Sequence, residues 1–145
     1  MLCVNNYTQK YIDERRSRVA AQVSAYQALV ATARNQAAND EPQLNAAIEA
    51  FEPHYFNNMI LVLDNHFVHR ARAIEKKDGN PLNEVKMLWN SMMNNGNIVC
   101  ADKTIKFDPA KSVLKYGVGD EIKLNQADFM LLSSALFAEI ESKYL

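Results

Sequence analysis

From about Tyr7 to Ala38 the chain has neither glycine nor proline, and apolar residues recur at Ile12, Val19, Val23, Tyr26, Val30, Ala33 and Ala37. The alternating steps of four and three from Val19 onward trace one face of a helix. At 1.5 Å per residue that helix is on the order of 45 Å long, and its stripe requires cover. A second helical pattern runs from Pro42 to about Glu75. Leu44, Ile48 and Phe51 before Pro53, and Tyr55, Met59, Val62 and His66 after it, keep one 3.6-residue phase. The retained phase predicts one helix bent near Pro53, not two helices joined by a reversing loop.

KKDGNPLNE interrupts the pattern. Gly79 ends the second helix, Asn80 suits an N-cap and Pro81 the first helical position. The third helix carries Leu82, Val85, Leu88, Trp89 and Met92 on one side and stops at NNG, with Gly96 just beyond. Past Gly96 the period shortens. IVC, KTIKF, SVLKY and EIKL are β-prone runs separated by AD, DPAK and GVG, which predicts a small antiparallel meander. Asn125 then caps a last helix, with Asp128 three positions on and Phe129, Leu132, Leu136, Phe137, Ile140 and Tyr144 across a broad face. The whole pattern predicts a single domain over residues 1–145, mainly α in the α+β class. Its parts are a long antiparallel helical hairpin, a third helix, a small antiparallel β-meander and a C-terminal helix.

Composition narrows the partners. Sixteen lysines and arginines face seventeen carboxylates, so no overall field draws the chain to nucleic acid or to an anionic membrane, and neither partner is expected. The longest apolar run, MILVL, falls far short of the roughly 20 residues of a membrane span. MLCVNNYTQK lacks a basic n-region followed by an apolar h-region, and Cys3 and Cys100 stand apart without a CxxC. Free thiols in a cytoplasmic protein are the expectation.

At LDNHFVHRARAIEKKDGNPLNEVKML, followed by SVLKYGVGDEIKL and FMLLSSALFAEIESKYL, the chain resembles a family of small bacterial hypothetical proteins. The likeness covers roughly residues 58–145 and is less clear over the first helix. It implies no activity, ligand or catalytic residue.

The chemistry concentrates in LDNHFVHR, a polar cluster inside an apolar run. His54, His66 and His69 share the second segment, but on a helix His54 lies about 18 Å from His66 along the axis, too far to share an ion. Neither HExxH nor a Cys/His cluster occurs, so no metal site is expected. GxSxG and phosphate-cradling glycine loops are also missing, and no cofactor is expected. On a helical wheel Asp64, Asn65 and Arg72 face water, whereas His66 and Arg70 enter the apolar arc. A buried arginine stays charged and needs carboxylates or carbonyls. Glu139 of the last helix is the first candidate partner and Glu84 of the third helix the second. His66 is then a neutral, hydrogen-bonded core histidine and His69 is exposed.

Two functions fit this reading. The first is a non-enzymatic assembly or interaction protein, a homodimer in which a second chain covers the long helices or the short sheet. The second is a binding protein or enzyme for a small anionic ligand, with a site around His66, Arg70, Glu84 and Glu139.

Overall fold

The computed structural model describes residues 3–37 and 41–145. The expected end of the first helix at Ala38 lies outside them. Five helices follow in order: α1 (Gln9–Gln36), α2 (Glu41–Asn65), α3 (Arg72–Glu75), α4 (Pro81–Asn94) and α5 (Gln126–Tyr144). Thr8 opens α1 by accepting the Tyr11 N–H at 3.1 Å. The stripe read from the sequence is the buried one, with Ile12, Val19, Val23 and Tyr26 in the core.

α1 and α2 form an antiparallel hairpin. Arg34 meets Asn45 (3.3 Å), Tyr26 meets Glu52 (2.7 Å), the Tyr55 hydroxyl reaches the Gln22 carbonyl (2.9 Å) and the Tyr11 hydroxyl reaches that of His66 (2.6 Å). Pro53 sits inside α2, and the chain does not reverse there. α4 and α5 pack against the hairpin near its open end, where Leu82, Val85 and Leu88 join Leu132, Leu136 and Ile140 in one core with Phe56, Ile60 and Leu63. Burying one such side chain contributes about 1.5–3 kcal/mol. No helix of the described residues is long and apolar enough to cross a membrane.

The two predicted caps are present. Asn80 accepts the N–H groups of Leu82 (3.0 Å) and Asn83 (3.1 Å), and Asn125 and Asp128 form a reciprocal capping box. Asn80→Ala and Asn125→Ala should each lower stability by about 1 kcal/mol in denaturant unfolding. Midpoints unchanged in both variants would contradict this assignment.

Two expectations are corrected. The second helix does not continue to Glu75: α2 stops at Asn65, residues 66–69 are a turn, and a separate short helix, α3, begins at Arg72. The β-meander is also missing, so the chain is helical and not α+β. Among the described residues only isolated bridges occur, Val4 with Arg70 and Ile98 with Glu121.

The reason is visible in the hydrogen bonds of residues 98–124. A few backbone bonds join residues 97–99 to 119–122, and at other points the backbone is met by side chains from the helices. Asn57 of α2 donates to the Ile122 carbonyl (2.8 Å) and accepts the Leu124 N–H (3.1 Å), as a neighbouring strand would. Glu84 of α4 accepts the N–H groups of Val113 (2.8 Å) and Leu114 (3.0 Å). The Ser91 hydroxyl accepts the Cys100 N–H (3.0 Å). Ile122 and Leu124 are buried and Lys123 between them is exposed, so the alternation is genuine but reports burial without a sheet.

Candidate functional site

LDNHFVHR is where α2 ends, although no glycine or proline marks the place. The His66 and Phe67 N–H groups bond to Leu63 (3.3 Å) and Asp64 (3.2 Å), tightening the last turn to a three-residue step. His69 then adopts φ 61° and turns the chain off the helix axis. Arg70 folds back underneath. Its side chain is 6% exposed; one Nη donates to the Phe67 carbonyl (2.7 Å) and the other to Glu75 (3.1 Å), with Asp64 3.6 Å away. The buried arginine expected from the sequence is there, but its carboxylates come from the helix ends on either side of the turn, Asp64 of α2 and Glu75 of α3.

Glu139 is one step removed. It pairs with Lys143 at 2.8 Å, and the same ammonium reaches the Glu75 carbonyl at 2.8 Å, tying α5 to the turn. Glu84 lies elsewhere, clamping residues 113–114; burial pushes its carboxyl above the usual glutamate range while the two N–H groups pull the other way. His66 turns toward α1, where burial and then Arg15 and Arg18 hold it below the ordinary histidine range. Expected as a hydrogen-bonded core histidine, it is half-buried and its Nε2 meets no protein partner. His69 is exposed as expected, whereas Asp64, expected to face water, is buried. The structure thus does not gather His66, Arg70, Glu84 and Glu139 into one site.

The N-terminal segment fastens the turn from outside. Val4 and residues 69–71 exchange two 2.8 Å backbone bonds, and the Tyr144 hydroxyl reaches the Ala71 carbonyl at 3.1 Å. Burial pushes both the Tyr7 and the Tyr144 hydroxyls up to about 12.

Beside the turn, α4 and residues 102–105 enclose a cleft of about 630 Å³. Arg70 belongs to its lining; Arg72, Lys76, Lys77, Lys86 and Trp89 do too, none of which was a candidate site residue in the sequence. The far wall is fastened by the Lys106 N–H on the Lys77 carbonyl (2.9 Å). In that wall the Thr104 hydroxyl (2.6 Å) and N–H (2.9 Å) hold Asp102 below the usual carboxylate range. A second concavity of about 450 Å³ lies between α1 and α5, over Val19, Val23, Phe129 and Phe137. Arg70 keeps its proton at ordinary pH and occupies Asp64 and Glu75, so the clasp holds charge and does not relay protons. Among the described residues no group of three or more His, Cys, Asp and Glu side chains is placed to hold a metal ion.

No family model, curated protein or solved structure matches the chain.

Proposed function

We propose that the protein is a non-enzymatic cytoplasmic assembly protein that works as a homodimer. One observation carries the reading: none of the described residues in 27–37 and 41–55 is buried. These stretches are the far halves of α1 and α2, an arm that projects beyond the core. Val30, Ala33, Leu44 and Ile48 are half-covered, while Leu29 is 65% and Phe51 46% exposed. Helices draw most of their stability from tertiary packing, so an arm of this length calls for cover.

A second copy supplies it. Two arms related by a two-fold axis make a four-helix bundle, the simplest closed solution for two helical hairpins. The exposed alanines 28, 31, 46, 47 and 50 let the helices of such a bundle approach closely.

Sedimentation equilibrium tests the proposal. The expected particle has twice the 16.4 kDa chain mass at micromolar concentration. Leu29→Glu combined with Phe51→Glu should raise the dimer Kd by about 100-fold or more, the loss expected for anchors at an interface centre. A parent protein that is strictly monomeric at roughly 10 μM would overturn it, since that places Kd above the usual range for a specific dimer.

A further inference from the structure

We propose that the cleft beside α4 binds a small organic phosphate monoester. Five cations line it: Arg70, Arg72, Lys76, Lys77 and Lys86. Three carboxylates stand against them, Asp64, Glu75 and Asp102, so two positive charges go unmatched. Asp64 and Glu75 are engaged with Arg70. Arg72, Lys76, Lys77 and Lys86 have no ion pair within 4 Å among the described residues.

The backbone holds these like charges together. Asn83 donates to the Lys76 carbonyl (3.0 Å) and accepts the Gly79 N–H (3.0 Å), while the Lys77 carbonyl is bound by Lys106. Lys76 itself adopts φ 64°, a region that side-chain-bearing residues rarely occupy. The fastened backbone thus groups these cations around one cleft, where an anion would face them. The Arg70 Nε, beneath the cleft, has no acceptor of its own.

Charge and shape select the anion. A phosphate monoester carries about −1.5 to −2 at pH 7 and matches the unmatched charge, whereas a carboxylate leaves half of it. The cleft volume lies within the roughly 300–1,000 Å³ typical of small-molecule sites. Trp89, Val68 and Ile105 supply apolar surface for the esterified group, with the Lys86 ammonium 5.3 Å from the centre of the Trp89 ring. This site shares no residue with the projecting arm, so it stands or falls apart from the dimer.

Trp89 is the single tryptophan and reports on the cleft. Its fluorescence and titration calorimetry should both show saturable binding of phenyl phosphate, with Kd below about 1 mM. Benzoate, which has the same ring but one charge, should bind about ten-fold more weakly or worse. Arg72→Glu and Lys77→Glu, both at exposed positions, should each weaken phenyl phosphate by about ten-fold or more. Lys111→Glu, outside the cleft, should not. The proposal is overturned by no saturable binding in either measurement, by equal affinity for benzoate, or by an equal loss in Lys111→Glu. Pelleting with phosphatidic acid vesicles without phenyl phosphate binding would assign the charge to a membrane surface and overturn it too.

Discussion

Arg70→Ala should destabilise the protein by about 3–5 kcal/mol, because it leaves carboxylates buried without their cation. Asp64 and Glu75 have side chains only 11% and 14% exposed, and the Phe67 carbonyl loses its donor as well. Two effects add here. The desolvated charges lose their partner, and the turn that ends α2 loses the group that closes it. Arg72, two residues on, is exposed and has no ion pair among the described residues, so Arg72→Ala should change stability by less than about 0.5 kcal/mol. Urea unfolding of the two variants side by side decides the matter: equal small losses would show that the clasp contributes nothing to the fold.

Gly79→Ala should cost about 3 kcal/mol or more, combining an unfavourable backbone region with steric overlap. Gly79 has φ +87°, and a Cβ there would lie 2.3 Å from the Lys106 carbonyl oxygen. That atom belongs to backbone and cannot swing aside. Gly119 provides the control, since its φ is +94° but an added Cβ meets nothing within 4 Å. Gly119→Ala should therefore cost only about 1–2 kcal/mol, the backbone part alone. Thermal melts that place both variants at the same midpoint would mean that the 77–79 and 106 segments separate without penalty.

What could be read from the sequence was what the chain decides locally. The α5 stripe, the first part of the α1 stripe, Leu82, Val85 and Leu88 of α4, and the caps at Asn80 and Asn125 depend on neighbours a few residues away and are found in place, whereas Val30, Ala33, Ala37, Trp89 and Met92 are only half-covered. The end of α2 was hidden because its stop signal is tertiary, made by Val4 and the folded-back Arg70. A wheel drawn through Asn65 into Arg70 correctly buried the arginine, yet could not find partners that a turn, and not a helix, brings near. The meander failed for a related reason. Alternation at Ile122, Lys123 and Leu124 records which side chains enter the core, and it is silent on whether a strand or Asn57 satisfies the backbone. The cleft left a trace that the whole-chain charge hides: RARAIEKK, residues 70–77, holds four cations and one carboxylate.

Anchoring by side chains has a consequence for the order in which the molecule assembles. A hairpin can zip from its own turn, each pair drawing in the next. Residues 98–124 have little such route: their own pairing is limited to a few bonds between 97–99 and 119–122, while Asn57 reaches them across 65 and 67 positions and Glu84 across 29 and 30. Contacts so distant along the chain come only after their loop-closure entropy has been met by other interactions, here the docking of α2 and α4. The irregular segment therefore takes shape late, as a cast of a helical mould already set, and its conformation is written more in the helices than in itself.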